Sequence, residues 1–333
     1  MQQNYQNNEE QICLFDPGVE NNQASLSSNL GDLIIREAIV RELKGLFENP
    51  LIISISTKER LGTAQKKLIS KCDWQFVGGT NLLSSNMLTY RQWKVSILDG
   101  VYFSNAILFG AGWWQYQDNP DIYTRLTFRT LLSSKYIHSV RDEYTKRKLE
   151  FAGIYNVVNT GCPTMWPLLG VDPRDIPSEK SANVLTMLTD YSQDREFDCA
   201  LIWMLKREYK NVYFWPQGSG DVKYLSSLCI DGIDVLDHTI DALDSLLTSC
   251  DEVEYVGTRL HGGIRCLNMR KRSLIICVDN RALELSKDSG LSVVQRGDPA
   301  AILKWIRGRT PFSIRLNQAE IQLWKAQFNF HGG

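Results

Sequence analysis

The sequence predicts an α/β protein of two Rossmann-like domains facing each other across a cleft. Three observations predict it: strand-like and helix-like patterns alternate along the chain, the alternation runs twice, and a proline- and charge-broken stretch separates the two runs. With 333 residues, 43% of them hydrophobic, the chain is long enough for two compact cores rather than one.

Taken in order, residues 1–11 form a polar, Gln/Asn-rich tail that is expected to be disordered, without the basic start and apolar core of a signal peptide. Residues 12–170 form the first domain. Short apolar runs at 12–15, 51–55, 74–77, 106–109, 137–140 and 156–158 are bounded by Gly, Pro, Asp or charge, as in strands buried on both faces of a parallel sheet. Between the first two, Leu33, Ile34, Ala38, Ile39, Leu43, Leu46 and Phe47 share one helical face. Residues 171–182, with Asp172-Pro173 and Ile176-Pro177, break every period and read as a linker. Residues 183–312 repeat the alternation, with strand runs at 183–188, 211–215, 233–236, 252–256 and 273–278. The final stretch, 313–333, carries Ile321, Trp324 and Phe328 on one helical face and is expected to pack back on the body.

Composition excludes several classes. The 37 basic and 38 acidic residues leave a formal charge of −1, so no global field recruits nucleic acid or an anionic membrane, and anion recognition has to be local. Eight cysteines lack CxxC spacing and sit mostly in apolar runs, which reads as reduced thiols in a cytoplasmic protein. No apolar run reaches the length of a transmembrane segment, and no His, Cys or carboxylate spacing suggests a metal.

The most informative segment is Gly257-Thr258-Arg259-Leu260-His261-Gly262-Gly263, which follows the strand run Glu252–Val256 and opens a helix. Helix N-terminal amides, a guanidinium and an imidazole at a strand's carboxyl end suit an acidic small molecule and proton chemistry. Asn29, Gly31 and Asp32 open the first helix of the chain, as caps, as ligand contacts, or both. Gly78-Gly79 and Gly110-Ala111-Gly112 read as tight strand exits, since neither completes GxGxxG. Trp113 and Trp114, with Tyr116, follow the second exit; a sugar platform and core packing are both open there. His138 reads as structural, inside an apolar strand.

Taken together, these residues resemble the polysaccharide pyruvyl transferase family. The resemblance rests on Arg259-Leu260-His261-Gly262 with Ile264 and Cys266, on Leu274-Ile275-Ile276, Asp279-Asn280-Arg281 and Ser289-Gly290-Leu291, and on Ser28-Asn29-Leu30-Gly31-Asp32. Phe76-Val77-Gly78-Gly79, Ser139-Val140-Arg141-Asp142-Glu143 and Thr160-Gly161-Cys162-Pro163-Thr164 extend it, with Cys162 where the family often has Asp. Asn268-Met269-Arg270-Lys271-Arg272 departs from the family's small-residue turn.

The resemblance implies a GT-B-like pair of domains, the first on the acceptor side and the second on the donor side. It implies transfer of a pyruvyl group from phosphoenolpyruvate, a co-substrate with no further cofactor, to a sugar of a polysaccharide or its precursor, free, oligomeric or lipid-linked. It places His261 as the catalytic acid and Arg141, Arg259, Leu260, Gly262 and Arg281 around the donor, with Asn29, Gly31, Asp32, Gly79, Trp113 and Trp114 in the cleft or at the acceptor. On the residues alone, His261 also reads as a helix-start residue bonded to a carbonyl, and Arg141 as a partner of Asp142 and Glu143. A glycosyltransferase using a nucleotide sugar and a non-catalytic sugar- or anion-binding homologue are the alternatives. The sequence leaves the acceptor sugar and the oligomeric state open.

Overall fold

The structure, a computed structural model, describes residues 10–329. Within that range the chain divides into two compact units: one of residues 10–26, 35–163 and 317–329, the other of 27–34 and 164–316. Residues 1–9 of the expected polar tail lie outside the described residues.

In the first unit the elements run β1 (Gln11–Asp16), α1 (Leu30–Leu46, its first turn grouped with the second unit), β2 (Leu51–Ser56), α2 (Thr63–Ile69), β3 (Trp74–Gly78) and β4 (Ile107–Phe109). They continue with α3 (Ile122–Leu131), β5 (His138–Val140), α4 (Glu143–Ala152) and β6 (Val157–Asn159). A parallel four-stranded sheet has the order β2-β1-β3-β4, with Ile12 level with both Ile52 and Trp74. β5 and β6 form a parallel pair next to β4, joined through an Ala111–Val140 bridge and through the Leu108 N–H, which donates to His138 Nδ1 at 3.1 Å. Ile12 to Phe15 are all fully buried, which is why the sequence shows a continuous apolar run there and no alternation.

The second unit runs β7 (Asn183–Thr186), α5 (Arg195–Glu208), β8 (Asn211–Phe214), α6 (Asp221–Ser227), β9 (Asp234–Val235) and α7 (Ile240–Ser249). It continues through β10 (Val253–Gly257), α8 (Leu260–Asn268), β11 (Ser273–Cys277), α9 (Asn280–Ser289), β12 (Val293–Gln295) and α10 (Pro299–Arg307). Its parallel sheet has the order β9-β8-β7-β10-β11-β12: the unit's first strand is central, and the winding reverses between β7 and β10. That reversal is the switch point at which doubly wound sheets hold ligands. Helix starts are sealed by Asp194, Thr239, Asp279 and Asp298, whose side chains accept from amides of the first turn.

Residues 171–182, expected as a linker, belong with the second unit, and the division falls between Pro163 and Thr164. Ile176 is buried there, and hydrogen bonds such as that from the Thr310 N–H to the Ser178 carbonyl at 2.8 Å hold the stretch in place. β12 has no counterpart in the sequence reading, because its three residues are only partly covered and carry little pattern. The last helix, α11 (Gln318–Ala326), returns to the first unit. Trp324 is fully buried with its ring 4.4 Å from Phe109, and Phe328 lies 5.4 Å from Phe76. Among the described residues no helix is long and apolar enough to cross a membrane.

Candidate functional site

At the switch point of the second unit the exits of β7, β8 and β10 are tied together, and residues 27–34 join them through the β8 exit. The β10 exit is stitched to that of β7: the Thr258 N–H donates to the Met187 carbonyl at 2.9 Å, and the Thr189 and Thr258 hydroxyls are 2.8 Å apart. This holds Arg259, the residue before α8, beside Asp190 and Tyr191.

Arg259 is 3% exposed. Its Nε donates to Asp221 Oδ2 at 3.1 Å and to the Leu188 carbonyl at 3.2 Å, and its Nη2 donates to Asp190 Oδ1 at 2.8 Å and also to Asp221. Asp221 is fully buried and also accepts from the amides of Gln217 (3.0 Å), Gly218 (2.8 Å) and Asp190 (3.2 Å). Burial pushes the Asp221 carboxyl above the usual range, against the opposing pull of Arg259. Arg259 is therefore occupied by carboxylates of its own chain. Asp190 is the more replaceable partner, since its side chain is 31% exposed and that of Asp221 is not exposed at all.

α8 begins at Leu260, and the residue before it, Arg259, makes no side-chain cap. His261, on its first turn, is 4% exposed. The Gly262 N–H donates to Gln217 Oε1 at 3.1 Å, and a Cβ at Gly262 would stand 2.3 Å from Met187 Sδ. Gln217 also draws in the 27–34 segment: its Nε2 donates to Asn29 Oδ1 at 3.2 Å, and its carbonyl accepts from the Leu30 N–H at 2.9 Å. A Cβ at Gly31 would lie 2.5 Å from Gln217 Nε2, so a larger residue there would have to push that side chain aside. Asp32 accepts from the Ser27 hydroxyl at 3.1 Å. Gln217 thus ties Asn29, Gly31 and the start of α8 into one cluster.

Arg281, on the first turn of α9, is partly buried and paired with Asp279, to which its Nε donates at 3.0 and 2.9 Å. Its Nη2 also donates to the Tyr191 hydroxyl. The Tyr191 ring lies 5.2 Å from the Arg259 guanidinium and 5.7 Å from that of Arg281, so one half-exposed aromatic face bridges two cations. Asp190, Tyr191, Gln217 and Asp221 were not picked out in the sequence. A signal existed in Gln217-Gly218-Ser219-Gly220-Asp221, a glycine-rich strand exit ending in an acid at a helix start, of the kind that marked residues 257–263.

The first unit holds the remaining candidates. Arg141 is 1% exposed; its Nη2 donates to Asn81 Oδ1 at 2.8 Å and its Nε to Asp142 at 3.3 Å, while Nη1 is buried without a hydrogen-bond partner. Asp142 caps α4 through the Thr145 amide, and the reading of Arg141 as a partner of Asp142 describes a real contact. Gly79 packs against the Gly110 carbonyl, leaving no room for a side chain. Trp113 is a correction: it is fully buried, with its ring 5.9 Å from Phe128 and its indole N–H donating to Gln117 Oε1 at 3.0 Å, so it presents no face to a sugar. Trp114 is partly exposed and stacks on Tyr90 at 3.8 Å. Among the described residues no three His, Cys, Asp or Glu side chains form a metal-binding group.

A parallel α/β sheet with a buried arginine and a helix start at its switch point is an arrangement suited to small anionic ligands. The family model described as polysaccharide pyruvyl transferase matches residues 29–280, and the chain belongs to that family. The match begins at Asn29 and stops one residue short of Arg281. No curated protein matches the chain in sequence. Among solved structures, the glycosyltransferase SnogD from Streptomyces nogalater is similar at 9% identity over 96% of this chain and 94% of its own, with a TM-score of 0.38.

Proposed function

We propose that the chain transfers a pyruvyl group from phosphoenolpyruvate to two hydroxyls of a polysaccharide or precursor sugar, working in the cytoplasm. The observation that carries this reading is the start of α8, with His261 on its first turn and Arg259 just before it, inside the span of the family match. The chemistry needs one acid. Protonation of the donor's methylene carbon by His261 makes C2 electrophilic, and a sugar hydroxyl adds there and loses its proton. Phosphate then leaves with the C2–O electron pair, and a second hydroxyl closes the ketal and gives up its proton. One proton stays in the new methyl group and one departs with phosphate.

The donor brings a carboxylate and a phosphate to a cluster in which two guanidiniums already face Asp190, Asp221 and Asp279. In this reading the donor takes the place of Asp190 and Asp279, the partly exposed partners, at the guanidiniums, while Asp221 stays and fixes Arg259. Planar guanidiniums can exchange one bidentate acceptor for another without leaving their positions. The Gly262 amide is committed to Gln217, so the helix start contributes through the amide of Leu260 and the positive end of the dipole. A ligand panel tests the reading. Phosphoenolpyruvate should raise the melting temperature in a concentration-dependent way and release phosphate only when an acceptor sugar is present. Stabilisation by UDP and none by phosphoenolpyruvate would replace the reading with a nucleotide-sugar transferase.

A further inference from the structure

We propose that a basic cavity in the first unit, remote in sequence from the family's histidine motif, binds a phosphate-bearing anion. The cavity, about 230 Å³, is lined by Arg60, Lys66, Arg91, Lys94, Ser96 and Asp99 among others. The four cations come from three stretches of chain: Arg60 from the exit of β2, Lys66 from α2, and Arg91 and Lys94 from the long connection between β3 and β4. The fold brings them together: the Lys94 N–H donates to the Thr57 carbonyl at 3.0 Å, and Asn22 Nδ2 donates to the Arg60 carbonyl at 2.9 Å.

The lining is not balanced in charge. Asp99 is its one carboxylate, and it is already taken by Lys66 at 3.0 Å, by the Ser96 amide at 2.8 Å and by the Ser96 hydroxyl at 3.0 Å. Arg60, Arg91 and Lys94 remain without a carboxylate in the lining. Arg91 is held in place by its bond to the Val95 carbonyl at 3.1 Å. Like charges converging on one hollow oppose folding, and a multiply charged anion removes that repulsion. Arginine forks beside lysine point charges suit phosphate oxygens, and the volume holds several waters, hence a phosphate or diphosphate group. Apolar side chains are exposed on the segment that carries Asp99. Leu98 and Val101, on the short 3₁₀ segment Ile97–Val101, are 75% and 84% exposed, and Lys66 lies 4.8 Å from the Tyr102 ring centre. The shared chemistry is a phosphate group, carried either by a lipid head or by a soluble ester.

The test uses the full chain and the double variant Arg60→Ala/Lys94→Ala, two exposed side chains whose loss leaves the core intact. Pyrophosphate binding is measured by calorimetry, and lipid binding by co-sedimentation with phosphatidylcholine vesicles with and without phosphatidylglycerol. The variant should lose about tenfold or more in affinity for one or both probes while its phosphoenolpyruvate affinity is unchanged. Loss confined to the vesicles assigns a lipid headgroup, and loss confined to pyrophosphate assigns a soluble ester. If the variant binds both probes as the parent does, or the parent binds neither, the proposal is wrong. An equal fall in phosphoenolpyruvate affinity would assign the cavity to the donor and overturn it as a separate site.

Discussion

Replacing Arg259 by Met should destabilise the second unit severely, and replacing Asp221 by Asn as well should restore much of the loss. In the single variant Asp221, fully buried, keeps its three amide donors but loses the arginine that bonds it. Removing one partner of a buried pair costs roughly 3–5 kcal/mol. For a unit of this size that corresponds to a fall of roughly 10 °C in melting temperature. Asp221→Asn keeps an oxygen for the amides and removes the charge, so the double variant no longer buries an uncompensated carboxylate. Its cost should fall short of the sum of the single variants by about 2 kcal/mol, as expected for directly contacting groups. Urea denaturation of the parent, both single variants and the double variant gives the coupling. Additive costs would refute the reasoning and return Arg259 to a role that does not depend on Asp221.

Asp190→Asn should tighten phosphoenolpyruvate binding by calorimetry, by about tenfold, because a charged competitor for Arg259 is lost; weaker binding would show that Asp190 does not compete with the donor. His138, fully buried and accepting from the Leu108 amide, has its pKa lowered by burial from 6.5 to about 4. A depressed pKa of this kind stabilises the fold above pH 6.5 and is lost as pH falls to about 4, a change of roughly 3 kcal/mol that His138→Gln should abolish in acid denaturation curves. Trp113→Ala should cost about 3–5 kcal/mol of stability, whereas Trp114→Ala should leave the melting temperature nearly unchanged and raise the KM for the acceptor; equal effects would undo the division between core and surface tryptophan.

Much of the fold was legible because the two sheets are parallel and buried on both faces. Ile12–Phe15 and Leu274–Cys277 are uninterrupted apolar runs, and such runs are hard to mistake. β12 was not legible, since Val293–Gln295 is an edge strand with partly covered residues. Nor could the sequence show that Ser27–Ile34 belongs with the second unit, because that grouping runs through Gln217, 188 residues away from Asn29. At the candidate site the residue types were visible and their partners were not. Arg259 reads as a free fork until Asp190 and Asp221 are seen to hold it, 69 and 38 residues away. Local patterning reports which side chains carry charge, whereas long-range pairing decides which of those charges are already spoken for.

The central claim is that His261 protonates the methylene carbon of phosphoenolpyruvate during transfer to a sugar. The most direct measurement is turnover in deuterated water for the parent and for His261→Asn, with donor affinity measured alongside. The parent should release phosphate and place one deuterium in the methyl group of the new ketal. His261→Asn should bind the donor with nearly parental affinity and turn over roughly 10²–10⁴-fold more slowly. Parental turnover by His261→Asn, or a ketal methyl group without solvent deuterium, would contradict the account.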